Sequence, residues 1–308
     1  MAVALEPNIV TVDRDSEWRT VSARAGLGQQ VRDIWAYREF LVLSVRTQLK
    51  VKYKDSALGI VWSMLNPALY LVVFYIVFQL ILENGIPNFA IFLLSGLLVW
   101  NLYSGGLAGS TGSVVGAGAL IKKVSFPREI LPLAAVGSAL VNFFFQAIVL
   151  VLALVIFRYA PGWEYLVLLI PALLSVLLLS GGLGLFLSAI NVKLRDTMHM
   201  LELVLLAWFW MTPIVYPFML IEERGGVLAT LYKLNPMVWV VVTFQRAIYN
   251  QAAPKSTSGP GRILVLPPNE GFGFYAWHIG VVLVVSAVIF VAGLAYFGRV
   301  EGNFSEEL

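Results

Sequence analysis

Six long apolar stretches constrain this chain more than any other feature of its sequence. A bilayer core is about 30 Å thick, so a helix needs roughly 20 apolar residues to cross it with every backbone N–H paired inside the helix. The chain is 59% hydrophobic and 13% charged, whereas soluble domains have about 45–50% apolar and about 25% charged residues. We therefore predict an all-α integral membrane protein with six spans, at approximately 60–82, 89–109 with a small-residue extension to 121, 131–157, 165–190, 200–218 and 275–297.

Basic residues indicate the orientation of these spans, because loops rich in Lys and Arg remain in the cytosol. They precede the first span and follow the second and the fourth, as Arg46, Lys50, Lys52, Lys54, Lys122, Lys123, Arg128, Lys193 and Arg195. The loop at 83–87 has no basic residue, and the loop at 159–163 has only the nearby Arg158. We expect both termini in the cytosol, with residues 1–26 as a polar tail that lacks the pattern of a cleavable signal peptide.

The segment before the first span predicts a helix that does not cross the membrane. Residues 27–50 place apolar side chains on one face at about 100° per residue, with charged residues beside them. We predict an amphipathic interface helix on the cytosolic surface. With the basic segment that follows, it makes residues 27–56 one unit and 57–308 the membrane domain. A soluble helix packed on a partner is the alternative, and Arg38 on the apolar face favours it.

A second exception lies between the fifth and sixth spans. Two apolar pieces, 227–234 and 237–249, are interrupted by Asn235-Pro236, and each is too short to cross a bilayer. Proline breaks a helix because it lacks a backbone donor. We predict an external re-entrant hairpin over about 227–250 and an external loop over 251–273. A seventh span is the alternative, and it would place the C-terminus outside.

Glycine and proline predict where helices approach closely and where they bend. Glycines recur along one face of the second span, as Gly105, Gly109, Gly112 and Gly116, and in the fourth, as Gly181, Gly182 and Gly184. Small residues let helices approach, so we expect tight packing within one subunit, with a dimer seam at the second span as the alternative. Pro67, Pro171, Pro213 and Pro217 should kink or end their helices.

Several kinds of chemistry are missing from the sequence. Transport driven by an ion gradient generally needs an ionisable residue at membrane depth, and the centres of the six predicted spans lack Asp, Glu, Lys and Arg. The chain has no cysteine and two distant histidines, so a metal site is not expected. A net charge of +3 argues against a nucleic-acid partner. No GxxxxGK[ST] phosphate loop occurs, so energy must come from a separate ATPase chain.

Eight sequence segments carry a family resemblance. They are Lys50-Val-Lys-Tyr-Lys, Leu58-Gly-Ile-Val-Trp, Asn66-Pro67, Lys122-Lys-Val-Ser-Phe-Pro-Arg-Glu, Leu187-Ser-Ala-Ile-Asn-Val-Lys-Leu-Arg-Asp, Trp210-Met-Thr-Pro-Ile-Val-Tyr, Asn235-Pro236 and Glu301-Gly-Asn-Phe-Ser-Glu-Glu-Leu. In this order and spacing, the chain resembles the permease subunits of ABC transporters that export lipid-linked polysaccharides, such as O-antigen, teichoic acid and cell-wall galactan.

The resemblance implies a complex in the bacterial cytoplasmic (inner) membrane. It would contain two copies of this chain and two cytosolic ATPase subunits, with ATP and Mg bound to the ATPase, no cofactor in this chain and a channel at the dimer interface. The chain itself would not be an enzyme. The positions that match the family's ATPase-coupling segments are Lys122, Lys123, Phe126, Pro127, Arg128, Glu129 and Asp196. Control of topology alone would equally explain the basic residues among them.

Two sets of residues suit the proposed cargo, a glycan linked to a polyprenyl pyrophosphate. Its anionic head could bind Arg46, Lys50, Lys52 and Lys54 through charge-assisted contacts; anchoring to membrane lipids is the alternative reading of these residues. Aromatic faces suit weak, repeated contacts with a moving sugar chain. The candidates for channel lining are Tyr70, Phe74 and Phe78 in the first span and Trp208, Phe209 and Trp210 in the fifth. Lipid-facing or core positions are their alternative.

Three rival functions remain open from sequence. A permease for small molecules or drugs could share the fold. A membrane glycosyltransferase that uses lipid-linked sugars would need catalytic carboxylates, and the first external loop offers only Glu83. A purely structural membrane subunit is the third.

Overall fold

The computed structural model describes residues 26–54, 56, 59, 61–257 and 259–307, and these residues form a helical bundle without a β-strand. In chain order the helices are α1 (Leu27–Ala36), α2 (Arg38–Tyr53), α3 (Val61–Phe74), α4 (Phe89–Gly116), α5 (Gly118–Ile121), α6 (Ile130–Ile156), α7 (Leu169–Lys193), α8 (Thr197–Trp210), α9 (Met219–Glu222), α10 (Gly226–Lys233), α11 (Pro236–Ile248), α12 (Phe272–Val300) and α13 (Phe304–Glu307). A π-helical segment, Tyr75–Ile81, continues α3, and 3-10 turns lie before α7 and after α12. The predicted tail at 1–25, the residues Leu58 and Ile60 and the last residue, Leu308, lie outside the described residues.

Four helices are long and apolar enough to cross a membrane by length and composition. They are α4, α6, α12 and the segment Trp163–Lys193, which contains α7. These match the second, third, sixth and fourth predicted spans to within a few residues. The pair α10 and α11 meets the same test only when taken together, and it is bent by 79° at its break. The break falls at the predicted Asn235-Pro236.

The first and fifth predicted spans have a different helical structure from the other four. The first is continuous from Val61 to Ile81 but changes from α to π geometry at Tyr75. The fifth, α8, ends at Trp210 instead of continuing to residue 218. Turns and bends follow it at 211–216, where Pro213 supplies no backbone donor to continue the helix. Both contain a shorter apolar helix, Ala68–Ile81 in the first span and Thr197–Trp210 in the fifth.

Small residues hold the centre of the bundle together. Helix α4 is mostly buried, and a Cβ on its Gly106 would lie 3.4 Å from the Ser180 hydroxyl of α7. Helices α7 and α12 approach still more closely, since a Cβ on Gly182 would lie 2.5 Å from the Cα of Phe290. Close approach is what stabilises helix pairs in lipid, where burial from water supplies little. The predicted packing role of the glycines in the fourth span is therefore confirmed at Gly182.

The glycines of the second span do not pack as expected. An added Cβ would meet nothing within 4 Å at Gly105, Gly112 or Gly116, and at Gly109 it would make only an ordinary 3.4 Å contact with Ala135. The expectation of tight packing within one subunit is therefore wrong for this face. Instead, the glycine face of α4 is the floor of an open groove.

The amphipathic segment forms two helices instead of one. The chain turns at Tyr37, where the Arg38 guanidinium donates to the carbonyl of Trp35 (3.3 Å). Helix α2 then runs beside the first half of α6, with Val45 packed on Gly137 and the Tyr53 hydroxyl bonded to Asn142. Helix α1 leaves large apolar side chains uncovered, among them Trp35 at 71% exposure.

Candidate functional site

The helix connections divide the bundle into two ends. One end holds α1, the loop 117–129, the loop 194–196 and residues 301–307, and we call it the basic end because of its Lys and Arg residues. The opposite end holds the loops 82–88, 157–162 and 249–271. Hydrogen bonds join these loops, such as the Tyr249 hydroxyl to the Pro87 carbonyl (2.9 Å) and the Thr257 N–H to the Gly85 carbonyl (3.1 Å).

A groove of about 820 Å³ begins near the basic end and lies between α2, α3, α4 and α6. We call it the polar groove. Its floor is the glycine face of α4, and its walls include Phe40 and Gln48 of α2, Tyr70 of α3 and Ala135 of α6. Hydroxyl and amide groups recur along it, from Ser44, Thr47, Ser104, Ser113, Ser138, Asn101, Asn142 and Gln146. Among the described residues that line it, Lys52 alone is charged.

Two side-chain hydrogen bonds cross the polar groove or its rim. The Asn101 amide donates to Gln146 Oε1 (3.1 Å), which joins α4 to α6, and the Tyr53 hydroxyl donates to Asn142 Oδ1 (2.7 Å), which joins α2 to α6. Asn101, Asn142 and Gln146 are half-buried. The groove therefore presents uncharged hydrogen-bonding groups beside apolar and glycine surface.

The four basic residues predicted to bind a lipid headgroup all lie on or just beyond α2. Arg46, Lys50, Lys52 and Lys54 are exposed. Lys52 lines the polar groove, with its Nζ 5.5 Å from the centre of the Tyr53 ring. The structure thus places one of the four at the groove and leaves the others on the outer surface of α2.

The six aromatic residues predicted to line a channel lie in one region of contacting rings. Tyr70, Phe74 and Phe78 follow one another along α3 and its π segment, with ring centres 5.9–6.0 Å apart. Phe74 also stacks on Phe209 of α8 at 6.2 Å. The two predicted sets, of which Phe74 and Phe209 are in contact, are therefore brought together although they are far apart in sequence. Of the six, Tyr70 lines the polar groove.

The remaining two aromatic residues of α8 have different surroundings. Trp210 contacts the Phe209 ring at 5.5 Å and is half-exposed. Trp208 lies against Tyr103 of α4 and donates its indole N–H to Asn235 Oδ1 (2.9 Å). Trp208 is therefore a packing residue of the bundle, whereas Trp210 is accessible.

Asn235 explains why the bent pair α10–α11 breaks where it does. Its Oδ1 accepts from the Met237 N–H (3.0 Å) and so caps α11. The first residue of α11 is Pro236, which has no backbone N–H that would need an acceptor. Its Nδ2 donates to the Met211 carbonyl (3.1 Å) and to Thr212 Oγ1 (3.2 Å). One amide therefore ties the bent pair to the turn that follows α8.

The residues predicted to couple to an ATPase divide into an outer and an inner group. Lys122, Lys123 and Asp196 are exposed. Phe126 packs on Phe40 of α2, with ring centres 4.9 Å apart, and Pro127 is half-buried beside it. The last two, Arg128 and Glu129, face the interior of the chain.

Arg128 and Glu129 belong to a charged cluster that joins three distant parts of the sequence. The Arg128 guanidinium donates to the backbone carbonyl of Glu301, just after α12. Glu129 is 3% exposed, and burial raises the pKa of its carboxyl group. Burial and the nearby Glu129 carboxyl raise the pKa of Glu301 to about 7, with Asp33 of α1 adding further negative charge. Arg128 opposes this shift with its positive charge.

Sequence reasoning missed the amide residues of the polar groove and two acidic members of the cluster, Asp33 and Glu301. Asn142 and Gln146 are four residues apart in an otherwise apolar helix, so they share one face; this spacing was a usable signal. The pairing of Asn101 with Gln146 is a contact between different helices, and no local pattern reveals it. The same holds for Asp33, Glu129 and Glu301.

Together, the apolar helices and their connections define a multi-pass helical membrane protein. Among the described residues, no group of His, Cys, Asp and Glu could hold a metal ion. The family of ABC-2 type transporters matches residues 39–249, and the chain belongs to this family. The resemblance drawn from the eight sequence segments is thereby confirmed at the level of the family.

Three relatives carry the same name. The O-antigen export system permease protein RfbA of Myxococcus xanthus is 32% identical over 225 residues, which cover 73% of this chain and 85% of the relative. Two proteins of that name from Klebsiella pneumoniae are 25% and 26% identical over 270 and 272 residues, which cover 88% of this chain and 95% of each relative. The similarity therefore extends over most of both chains.

Proposed function

We propose that this chain is the membrane-spanning subunit of an ATP-driven exporter that moves a lipid-linked polysaccharide out of the bacterial cytosol. The observation that carries the proposal is the polar groove, which combines a basic side chain with a row of uncharged hydroxyl and amide groups. Membership of the ABC-2 type transporter family and similarity to three O-antigen export permeases support it. A glycan with an anionic lipid anchor has this distribution of charge.

The proposal includes six membrane crossings with both termini in the cytosol. Helices α3, α4, α6, α7, α8 and α12 alternate in direction between the two ends. The bent pair α10–α11 enters and returns on the opposite side, and its bend of 79° supports a re-entrant segment over one straight span. Helix α1 lies on the inner membrane surface, and the exposed Val31 and Trp35 favour that position. This arrangement places the basic end in the cytosol, as positive loops favour.

Energy enters at the basic end through a separate ATPase that binds ATP and Mg. Lys122, Lys123 and Asp196 are exposed and available to it, whereas Arg128 acts indirectly by bonding the loop to residue 301 after α12, with the buried Glu129 beside it. The active complex contains two copies of this chain and two ATPase subunits. Among the described coupling residues, the exposed ones can therefore contact the ATPase, and the inner ones can transmit a movement of the ATPase to the membrane domain.

The lipid-linked glycan contacts the basic residues first and the aromatic residues afterwards. The pyrophosphate of the lipid carrier binds first at Arg46, Lys50, Lys52 and Lys54, since cationic groups bind phosphate through charge-assisted hydrogen bonds. Lys52 then leads into the polar groove. The connected rings from Tyr70 to Trp210 supply apolar faces for a sugar chain beyond it.

Reversal of charge at Lys50, Lys52 and Lys54 together tests this assignment. We expect the triple Lys→Glu variant to insert normally and to lose at least nine-tenths of surface glycan, because the anionic headgroup would meet repulsion instead of attraction. Surface glycan is measured by immunoblot or lectin binding, and insertion by membrane fractionation. The matched control reverses three exposed basic residues at the opposite end, Arg224, Lys255 and Arg262. Normal export by the first variant, or equal loss in both, would contradict the headgroup assignment.

A further inference from the structure

The amide groups of the polar groove lie near the middle of their helices. At a rise of 1.5 Å per residue, Asn101 is about 18 Å along α4, and Asn142 and Gln146 are about 18 and 24 Å along α6. Both helices are long enough to cross a bilayer. These three amides therefore lie within the length of two membrane-crossing helices, and Asn142 lies level with the end of α2 because it accepts from Tyr53. An unpaired polar group is disfavoured in such a helix.

The hydrogen bonds within the chain satisfy only part of this set. Each side-chain amide offers two donor hydrogens and one acceptor oxygen. Asn101 donates once to Gln146, and Asn142 accepts once from Tyr53. No described residue bonds to Gln146 Nε2, Asn142 Nδ2 or Asn101 Oδ1, and none of these atoms is among the buried unpaired ones. They are therefore accessible from the groove. If an amide were rotated by 180°, its nitrogen and oxygen would exchange places, and the group could still form hydrogen bonds with a ligand.

The surroundings limit what can bind there. Gly105 is one helical turn beyond Asn101 on the groove floor, and no described side chain covers it. Lys52 is the one charged group among the described lining residues, so a second anion deep in the groove would lack a partner there and would be expensive to bury. The volume of about 820 Å³ is within the range of about 300–1,000 Å³ that small-molecule sites occupy. The groove therefore suits a few uncharged, hydroxyl-rich units instead of a whole polymer.

We propose that Asn101, Asn142 and Gln146 form a binding subsite for the hydroxyl groups of uncharged sugar units, and that this subsite selects the part of the glycan that follows the lipid anchor. The proposal rests on the proposed export function and adds the residues that recognise the sugar. Lys52 precedes the Tyr53 that bonds to Asn142, so it holds the anionic part beside the amides, and the three amides bind the neutral part. The bonds from Asn101 to Gln146 and from Tyr53 to Asn142 explain one contact of each amide, but they leave the donors at Gln146 Nε2 and Asn142 Nδ2 free.

Photocross-linking of the full chain in its native host tests the subsite directly. A benzoylphenylalanine replaces Gly105, which is exposed in the groove one helical turn from Asn101 and is not itself part of the subsite. The cells make their glycan from a tritium-labelled sugar, and cross-linked chain is purified under denaturing conditions after illumination. The matched control carries the same group at Phe144, which is 55% exposed and outside the groove. We expect label on the chain substituted at position 105 and at least tenfold less at position 144.

The outcomes separate the subsite from the export function. Equal labelling at both positions, or no label at 105 while surface glycan is normal, would overturn the subsite and leave the exporter in place. Normal surface glycan in cells that lack the chain would instead overturn the proposed function.

Exchange of the amides supplies a second measurement that does not depend on the probe. The variant Asn101→Leu with Gln146→Leu should export about tenfold less glycan, equivalent to about 1.4 kcal/mol. The variant Asn101→Gln with Gln146→Asn retains both amides and should export at least half as much as the wild type. If both variants retain the wild-type denaturation temperature and export equally, the amides do not recognise sugar.

Discussion

Substitution of a single glycine at the crossing of α7 and α12 should destabilise the protein measurably. A Cβ at Gly182 would lie 2.5 Å from the Cα and 2.6 Å from the N of Phe290, whereas ordinary contacts begin at 3.4 Å. In the Gly182→Ala variant the helices must therefore separate by about 0.9 Å, since both opposing atoms belong to the backbone and cannot rotate away. Overpacking of this kind typically costs about 1–3 kcal/mol.

The same substitution in the polar groove should have the opposite effect on stability. Gly112 has nothing within 4 Å of its added Cβ, and alanine is more favourable than glycine in a helix by about 0.8–1.0 kcal/mol. We expect Gly182→Ala to lower the apparent denaturation temperature by about 2–12 °C, on the scale of roughly 2–4 °C per kcal/mol. Gly112→Ala should leave this temperature unchanged or raise it.

The assay is loss of the folded peak in size-exclusion chromatography after heating in detergent, with both variants heated at the same rate because such unfolding is commonly irreversible. If Gly182→Ala were as stable as the wild type, or if both alanines destabilised equally, the assignment of one close and one open glycine face would be wrong.

Three further predictions concern the charged cluster, the bent pair and the wall of the groove. Glu301 holds its proton to about pH 7 in the folded chain, against 4.5 for the unperturbed group, so its contribution to stability is present below pH 4.5 and is lost as the pH rises to 7. Glu301→Gln should therefore reduce the fall in denaturation temperature between pH 5.5 and 8, and an unchanged fall would count against it. Asn235→Ala removes a helix cap worth about 1 kcal/mol and leaves an indole N–H unpaired at a cost of about 1–3 kcal/mol, so thermal denaturation should show a loss of about 2–4 kcal/mol, with a smaller loss for Asn235→Asp. The Val45 Cβ lies 4.0 Å from the Cβ position of Gly137, a distance that suits a disulfide. Val45→Cys with Gly137→Cys in this cysteine-free chain should therefore form one and fix α2 to α6. Export should stop on oxidation and recover with reductant, and continued export by the oxidised variant would show that α2 need not move.

The long helices could be predicted because their residues are uniformly apolar over the length of a membrane. The structure alters the prediction where local chemistry competes with that pattern. Helix α8 ends at Trp210 because Thr212 and Pro213 form a turn held by Asn235. The amphipathic pattern over 27–50 continues through Tyr37, but the chain turns there. The periodicity of apolar residues does not reveal a break of one residue.

The site was predictable only where its residues carry charge or aromatic rings. Lys52 and Tyr70 follow from such patterns, and both line the polar groove. The glycine face of α4 could not be interpreted from sequence. The same glycine spacing occurs where two helices pack tightly and where a groove stays open, and the position of the neighbouring helix determines which of the two forms. The family resemblance assigned Arg128 to a segment that couples to the ATPase. Its bond to the backbone carbonyl of the chain's own Glu301 joins residues far apart in sequence, and no local pattern predicts it.

The two faces of α4 divide the bundle into a fixed side and a movable side. Its rear face meets α7 and α11 through small residues at close range, so little can shift there without steric overlap. The walls opposite its glycine face are held differently: α2 rests on α6 through Val45 and Tyr53, and α3 is joined mainly by stacked rings and a π-helical segment. The remaining wall, α6, is bonded to α4 through Ser110 and Asn101. A change in the width of the polar groove is therefore expected from α2 and α3. Phe40 of α2 contacts Phe126 in the loop 117–129, so a movement imposed on that loop reaches the groove wall through one aromatic contact, without passing through the packed side of the bundle.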